Sequence, residues 1–307
     1  MFIYLDKSDI INPHQQHIEG IYYVTDGSDH YKTKPGYYTS NFLCRTSKGN
    51  PLYLAAIVND QRKIKQSEEE KQTIEDLDSY FINKNRVYIR DSNYSNSVML
   101  KFLINHNDHF LMRLNGLKGK RYFYCNGNKY TVQDLIDLQS ESPRERFKSI
   151  HPKKYGMATI SKINGTVSNL KGIFTFIIIT FDNGSEPMVL ITDLDCPNLD
   201  CAIQYYDKYM DRWTIEDVFN LVKQYFALEK YNVQTFIAIQ NINQLTRIAY
   251  NIVSLFSNEK HHTAQEYIVK ISDGIRPNIK KLLKCIADGL EEIFTNCHPH
   301  LFEYRYG

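Results

Sequence analysis

The chain has none of the features that mark a membrane or secreted protein. No apolar run reaches the roughly 18 residues that a membrane-spanning helix needs. The longest run, residues 173–181, is interrupted by Thr175 and predicts a buried strand. Residues 1–5 have neither the basic stretch nor the small-residue cleavage site of a secretory signal. We therefore expect a protein of the cytoplasm with no membrane partner.

Paired cysteines are missing as well. The six cysteines are scattered over 307 residues and none forms a Cys-x2-Cys pair, so reduced thiols fit best. Cys297-His298-Pro299-His300 could form a metal cluster, but a single cluster of this kind is far more often incidental. Cysteine chemistry therefore gives no lead to function.

The net charge is small, since 37 Lys and Arg against 35 Asp and Glu leave only +2. The distribution is uneven, because residues 116–171 hold eleven basic and four acidic residues, an excess of seven positive charges. This excess fits a surface that contacts a nucleic-acid backbone. It fits an ordinary soluble surface equally well.

The first third of the chain predicts a mixed sheet with helices on its faces. Strands joined directly form antiparallel hairpins, whereas strands separated by helices run parallel. A capping box of Ser67 and Glu70 is expected at the start of the first helix. We predict strands at residues 1–5, 36–45, 51–58, 86–90 and 108–114, and helices at residues 67–83 and 95–105.

The pattern of apolar and polar residues changes after residue 116. Short apolar runs are separated by Gly, Asn and Asp, which indicates a β-rich insertion with turns between its strands. After Trp213 the pattern becomes helical. We predict strands at residues 121–131, 157–162, 172–181 and 186–192, and helices after Trp213, at residues 233–256 and at residues 264–294.

One polar stripe carries the strongest chemical signal. In a continuous helix, offsets of 0, 3, 7 and 14 place four side chains within an arc of about 60°. The neighbouring apolar stripe runs from Ile215 to Phe226, so the polar arc borders the core. A carboxylate beside two cations and a phenol suits a site for a metal ion and a phosphate. A solvated helix face with internal ion pairs is the alternative. The four residues are Tyr209, Arg212, Glu216 and Lys223.

Two further carboxylates are candidates for the same site. Asp6 and Asp91 each follow a predicted strand, where side chains emerge at the rim of a sheet. Together with Glu216 they would bind hard divalent cations, and two Mg²⁺ ions can support an in-line phosphoryl displacement. A strand-terminal Asp is more often a turn residue. Other aspartates could be proposed as easily, namely Asp9, Asp26, Asp193 and Asp195.

These residues resemble the bacterial insertion-sequence DDE transposases, in the IS-four-type group with the signature Tyr-x2-Arg-x3-Glu-x6-Lys. The signature is present without gaps and includes the Arg-Trp-x-Ile-Glu core. Residues 4–10 are similar to the block that carries the first Asp, and residues 89–94 are similar to the second block. The segments Asp26-Gly27-Ser28 and Gly36-Tyr37-Tyr38 are similar to those that follow the first block.

The resemblance implies an α/β fold with a ribonuclease-H-like mixed sheet flanked by helices. It divides the chain into a first core part (1–115), a β-rich insertion (116–205), a second core part (206–256) and a C-terminal helical region (257–307). Mg²⁺-dependent cutting and joining of DNA at transposon ends is the implied activity, and we expect Mn²⁺ to substitute. The implied partners are terminal inverted repeats and target DNA, with a homodimer bridging two ends.

The roles of single residues are also carried over from the resemblance. Asp6, Asp91 and Glu216 are the implied metal-binding catalytic triad. Tyr209, Arg212 and Lys223 are the implied contacts to DNA near the scissile phosphate. Trp213 could stack on a displaced base, although packing in the core is the stronger expectation.

The chain departs from the family pattern in two places. Ser92-Asn93 stands where Arg-Gly is usual, which we expect to be tolerated. Members usually carry a DNA-end-recognition domain before the first Asp, here residue 6. That domain is encoded elsewhere, has been lost, or belongs to a longer reading frame. The alternatives to a transposase are a truncated, catalytically idle regulator that binds DNA or dimerises, and a stand-alone nuclease.

Overall fold

The computed structural model describes most of the chain up to residue 256, and every structural statement below refers to the described parts. These parts are residues 1–11, 18–25, 32–47, 49–60, 62–81, 85–91, 97–114, 123–125, 127–226, 228–229 and 233–256.

Within these ranges the chain alternates between strands and helices. The strands are β1 (Phe2–Ile11), β2 (Tyr22–Thr25), β3 (Thr33–Arg45), β4 (Pro51–Val58), β5 (Val87–Arg90), β6 (His109–Arg113), β7 (Phe123–Cys125), β8 (Asn128–Tyr130), β9 (Arg144–Lys148), β10 (Met157–Val167), β11 (Phe174–Phe181) and β12 (Met188–Thr192). The helices are α1 (Gln66–Asp78), α2 (Ser97–Asn105), α3 (Val132–Asp137), α4 (Pro152–Tyr155), α5 (Leu199–Met210), α6 (Trp213–Tyr225) and α7 (Phe236–Phe256). A short 3₁₀ helix, Leu138–Glu141, follows α3.

The chain forms two compact units, and the first comprises Met1–Asp6 and Lys63–Ile215. Its sheet has the order β1-β5-β6-β12-β11-β10-β7-β8, with β9 also paired to β10. The pairs β1–β5 and β5–β6 are parallel, and the pairs from β6 onward are antiparallel. Strands β11 and β12 are almost wholly apolar and buried, so they form the centre of this unit.

The second unit comprises Lys7–Arg62 and Glu216–Gly307. Its long strand β3 pairs antiparallel with β2 and with β4. Helix α7 packs on β4, where the Tyr250 ring meets the Tyr53 ring edge-on at 5.5 Å. The Asn251 side chain bonds both the N–H and the C=O of Tyr53, at 2.8 Å each. Helix and strand are thus joined by apolar and backbone contacts.

The mixed sheet predicted from the sequence is confirmed. The directly joined strands β2, β3 and β4 pair antiparallel, whereas β5 pairs parallel with β1 and, across α2, with β6. The apolar run at residues 173–181 forms the buried strand β11. No helix among the described residues is both long and apolar enough to cross a membrane.

The predicted capping box at the start of α1 is wrong. Helix α1 begins at Gln66, after an N-cap at Lys65 that makes no side-chain capping bond. Ser67 therefore already lies inside the first turn. The Glu70 carboxylate is buried and accepts a hydrogen bond from Arg90 at 2.6 Å, a stronger partner than an N-terminal amide.

Some predictions missed an element or lie outside the described residues. Strand β2 and helix α5 were not predicted, and the strand predicted at residues 121–131 is the hairpin β7–β8. The division into four parts stays a prediction. Five features named in the sequence analysis lie outside the described residues, namely Asp26-Gly27-Ser28, Ser92-Asn93, the helix predicted at residues 264–294, the C-terminal region 257–307 and the Cys297–His300 cluster.

Candidate functional site

Two aspartates lie side by side on neighbouring parallel strands of the first unit. In the register of β1 and β5, Leu5 pairs with Arg90, so Asp6 and Asp91 are the next residues along each strand. Asp91 directly follows the last residue of β5, as predicted. The prediction that a strand ends before Asp6 is wrong, because β1 continues to Ile11. The register nevertheless brings both carboxylates to the same place.

Arg212 joins the two carboxylates. Its Nη1 donates to Asp6 Oδ2 at 2.5 Å, and its Nη2 lies 3.9 Å from Asp91 Oδ2. Only 6% of the Arg212 side chain is exposed, against 12% of Asp6 and 27% of Asp91. A guanidinium that is almost buried thus neutralises a pair of carboxylates that would otherwise repel each other.

Tyr209 holds the other oxygen of Asp91. Its hydroxyl donates to Asp91 Oδ1 at 3.1 Å. Burial, and next the charge of Asp91, raise the pKa of Tyr209 above its ordinary value, and Arg212 only partly opposes this. The phenol therefore stays protonated at neutral pH and acts as a hydrogen-bond donor rather than as a base.

The signature stripe does not lie on a single helix, so the helical-wheel prediction for it is wrong. Helix α5 ends at Met210 and α6 begins at Trp213, with Asp211 and Arg212 in a tight turn between them. The Arg212 N–H bonds the Tyr209 carbonyl at 3.1 Å, three residues back. The Asp211 carbonyl accepts from both the N–H and the hydroxyl of Thr214, which starts the new helix.

Trp213 packs within the first unit. Its ring stacks on Tyr155 with centroids 5.6 Å apart and meets His151 at 5.0 Å. The Lys154 ammonium lies 3.9 Å from the ring centroid, within the range of a cation–π contact. Packing was the stronger expectation for this residue, and its role in stacking on a base stays a prediction.

In the second unit, Lys223 has two acidic partners. Its Nζ lies 2.8 Å from Asp9 Oδ2 and 3.1 Å from Glu229 Oε1. Glu229 Oε1 also accepts from the Ile11 N–H at 3.1 Å, so it links Lys223 to the end of β1. Sequence reasoning treated Asp9 only as one of several alternatives. It missed Glu229, which follows the signature and has no periodic pattern around it.

Glu216 lies in the first turn of α6, is exposed, and belongs to the second unit. The predicted apolar stripe beside it is confirmed at Ile215, Val218, Phe219 and Val222, which are all buried.

Asp193, one of the alternative aspartates, has a structural role instead. It accepts the Phe110 N–H at 2.9 Å and bonds His109 Nδ1 at 3.0 Å, at the edge of β6.

A divalent cation is compatible with the donor set of the first unit. Among the described residues, no group of three or more His, Cys, Asp or Glu side chains is gathered to hold a metal. Asp6 and Asp91 nevertheless share one cation, Arg212, so their oxygens already converge on a position of positive charge. Carboxylate oxygens are the ligands that Mg²⁺ prefers. These two residues therefore fit the metal, and Glu216 as the third ligand stays a prediction.

The mixed α/β sheet, the parallel strands that carry Asp6 and Asp91, and the flanking helices define a ribonuclease-H-like fold, as predicted from the sequence. The family model described as "transposase DDE domain" matches residues 2–252. The chain therefore belongs to the DDE transposase domain family. No curated protein matches it.

One solved structure with a similar fold is the piggyBac transposase, determined by cryo-EM as a synaptic complex with hairpin DNA. The TM-score is 0.50 at 9% sequence identity, which speaks to the fold alone. The match covers 99% of this chain and 55% of that chain, so this chain spans about half the length of the piggyBac protein.

Proposed function

We propose that the protein is a DDE transposase that cleaves and transfers DNA strands at transposon ends, within the group that has the Tyr-x2-Arg-x3-Glu-x6-Lys signature. The observation that carries the proposal is the pair Asp6 and Asp91, aligned on parallel strands and joined by Arg212 of the signature. The family match over residues 2–252 supports the same conclusion.

Asp6, Asp91 and Glu216 would hold Mg²⁺, as two ions or with Mn²⁺ in their place. When bound, such ions activate an attacking oxygen and stabilise the leaving oxygen in an in-line phosphoryl displacement. The protein contributes by keeping Asp6 and Asp91 aligned. Tyr209 fixes the orientation of Asp91 through the bond from its hydroxyl to Oδ1. Water would be the first nucleophile, and the freed 3′-hydroxyl the next.

The basic residues of the signature would contact the DNA backbone near the scissile phosphate. Arg212 and Lys223 are both ion-paired to carboxylates in this structure. A phosphate can take the place of a carboxylate as an acceptor, since guanidinium and ammonium groups bind both. Tyr209 would add a neutral donor, and Trp213 would stack on a base only after leaving its contacts with Tyr155 and His151.

The insertion offers a second surface for the backbone. Strand β9 pairs with β10, and alternate residues of a strand point to the same face. Arg144, Arg146 and Lys148 share one face and are all exposed, whereas Phe147 faces the other way, against Tyr206. Arg146 also pairs with the exposed Asp182. Three cations about 6.6 Å apart along a strand suit a row of phosphates.

The remaining partners follow from the family and its neighbour. The piggyBac structure is a synaptic complex with hairpin DNA, and we propose DNA ends as the substrate and a homodimer as the working assembly here. Localisation in the cytoplasm at the nucleoid follows from the proposed substrate.

The test is a cleavage assay with duplexes that carry the terminal repeats of the element, with Mg²⁺, with Mn²⁺ and with chelator. We expect metal-dependent nicking at the repeat boundary and strong loss of nicking in Glu216→Gln. Equal rates in the parent and in Glu216→Gln would show that Glu216 is wrongly assigned. Tight binding without cleavage would favour the idle regulator, and cleavage of any duplex would favour the stand-alone nuclease.

A further inference from the structure

Arg212 has a physical task in the protein before DNA or metal arrives. Two carboxylates on adjacent parallel strands repel each other, and partial burial strengthens the repulsion because water screens it less. Arg212 Nη1 and Nη2 face Asp6 Oδ2 and Asp91 Oδ2, so a single guanidinium offsets both charges. The pair can therefore stay close together without a metal.

The contacts divide the carboxylate oxygens into two sets. Asp91 Oδ1 accepts from the Tyr209 hydroxyl, whereas the Oδ2 atoms of Asp6 and Asp91 face Arg212. A divalent cation that binds both aspartates meets the positive charge of Arg212 at the same oxygens. Binding must then overcome repulsion between the guanidinium and the metal, or displace one of the Arg212 contacts.

The two Arg212 contacts differ in strength. The 2.5 Å contact with Asp6 is a short charge-assisted hydrogen bond, whereas 3.9 Å to Asp91 lies outside hydrogen-bonding distance. The contact with Asp91 is therefore the weaker of the two and the easier to exchange. Arg212 can stay on Asp6 while Asp91 turns to a new cation.

We propose that Arg212 is a positioning residue that pre-aligns Asp6 and Asp91 and lowers their affinity for divalent cations while DNA is absent. This rests on the proposed function in that it takes the two aspartates as metal ligands. It adds a task for Arg212 beyond contact with DNA. If Arg212 served only as a DNA contact, its loss would leave the affinity of the DNA-free protein for metal unchanged.

The test measures Mn²⁺ binding to the DNA-free full-length chain by electron paramagnetic resonance, because free and bound Mn²⁺ give different signals. We expect Arg212→Gln to bind Mn²⁺ roughly tenfold more tightly than the parent, because one nearby positive charge is gone. The control Lys101→Gln removes one positive charge from the exposed side of α2 and should leave the affinity unchanged. Added Mn²⁺ should also raise the Tm of Arg212→Gln by more than that of the parent.

A conservative variant, Arg212→Lys, keeps the inference testable if Arg212→Gln does not fold. Arg212→Lys keeps the charge but replaces a planar fork with a single ammonium, which cannot face two carboxylates in the same way. We expect its Mn²⁺ affinity to rise by about threefold, between the parent and Arg212→Gln. Circular dichroism shows which variants fold, and if Arg212→Gln does not, the result for Arg212→Lys decides.

An Mn²⁺ affinity that is unchanged or lower in the folded Arg212 variants overturns the inference, as does undetectable binding in both parent and variants. The proposed function is tested apart from this. Nicking of transposon ends by the parent, with no change in affinity on loss of Arg212, would leave the function standing and remove the inference. Tighter Mn²⁺ binding in Arg212→Gln, with no nicking by the parent, would support the inference about Arg212 and contradict the proposed function.

Discussion

Two arginines in the first unit each face two aspartates, but the two clusters are built differently. Arg86 is fully buried, and its Nε and Nη2 bond the two oxygens of Asp108 at 2.8 and 3.0 Å. It also pairs with Asp78, and His106 contacts both carboxylates, at 2.7 Å to Asp108 and 3.1 Å to Asp78. Burial acts to lower the pKa of Arg86, but its bonds to Asp108 and Asp78 and nearby negative charges outweigh this and raise it.

The Arg212 cluster has the same charges and a looser geometry. Arg212 makes one short bond to Asp6 and one long contact with Asp91, and a phenol takes the place of the histidine. Its two carboxylates are also more exposed than Asp108. A bidentate and fully enclosed ion pair is suited to holding a fold, whereas a one-sided pair at a partly open position is suited to exchange of partners.

The largest expected effect separates the clusters by activity. If Asp6 and Asp91 bind the catalytic ions as proposed, Asp6→Asn and Asp91→Asn should each reduce nicking of transposon-end DNA by about 10³-fold or more, because each would remove a ligand for ions that stabilise charge in the transition state. Rates from single-turnover nicking are the measurement. Asp182→Asn, at an exposed surface ion pair, is the matched control and should cut at the parent rate. Near-parent nicking by either active-site variant would break the comparison.

The two clusters should also differ in their contribution to stability, where loss of Arg86 should have the larger effect. Arg86→Gln leaves the fully buried Asp108 and the partly exposed Asp78 without their main cation and should lower the free energy of unfolding by about 3–5 kcal/mol. Arg212→Gln should cost less, about 1.5–3 kcal/mol, since its partners reach solvent. Urea denaturation of the metal-free proteins gives both values. Equal losses would mean that Arg212 is as much a part of the framework as Arg86.

The exposed basic residues of β9 form a third group of charges, and their removal should have a smaller effect than changes in either arginine cluster. Replacing all three with Gln should weaken DNA binding about tenfold at moderate salt and make the slope of log K against log salt shallower by up to about 3. Fluorescence anisotropy over a salt series measures both quantities, and nicking at saturating DNA should be unchanged. The residues to replace together are Arg144, Arg146 and Lys148.

A control with the same change in net charge is available in the same unit. Gln at Lys63, Lys65 and Lys101 removes three exposed cations away from β9 and should leave the salt slope near the parent value. If both triple variants lose affinity for DNA equally, the affinity depends only on the net charge of the protein, and β9 is not a specific DNA-binding surface.

The smallest effect concerns Asp207 on α5, a carboxylate for which burial outweighs its neighbours. Burial, then Asp211, raise its pKa above the ordinary value of 3.8, and Lys208 and His151 only partly oppose them. A raised pKa in the folded state means that stability is full below pH 3.8 and declines as the pH rises through the folded-state pKa. Asp207→Asn should therefore be more stable than the parent at pH 7, within about 1 kcal/mol.

The measurement is the free energy of unfolding of the parent and of Asp207→Asn from pH 3.5 to pH 8. The difference should widen as the pH rises and shrink toward the acidic end. A difference that widens toward low pH would contradict the raised pKa and place Asp207 with the carboxylates that are stabilised as anions.

Many elements of both units could be predicted because their signals are local. Apolar runs such as residues 51–58 and 173–181 correspond to strands β4 and β11. The convergence of Asp6 and Asp91 was predicted from their positions at predicted strand ends, whereas the pairing of β1 with β5, across three intervening strands, was not. Helix periodicity also gave the buried side of α6.

The turn at Asp211 and Arg212 could not be predicted from periodicity. Asp, Arg, Trp and Thr all occur in helices, and the turn depends on hydrogen bonds to the Tyr209 and Asp211 carbonyls. Lys223 and Asp9 pair across a separation of 214 residues, so no local pattern encodes their contact. Glu229 is near Lys223 in sequence but lies beyond the end of α6, so helix periodicity does not place it. The predicted capping box is wrong for a similar reason, because Glu70 on α1 is bound by Arg90 of β5, which is 20 residues away in sequence.

Trp213 has a practical consequence for following the site. It is the only tryptophan in the chain and directly follows Arg212, while Lys154 and His151 lie against its ring. Fluorescence excited at a wavelength that tryptophan absorbs and tyrosine does not therefore comes from this turn alone. Any displacement of the ammonium or the imidazole alters the quenching of the indole. If the proposed binding of a divalent ion or a DNA end moves either group, its arrival can be timed by the native fluorescence in a stopped-flow experiment, with no label attached.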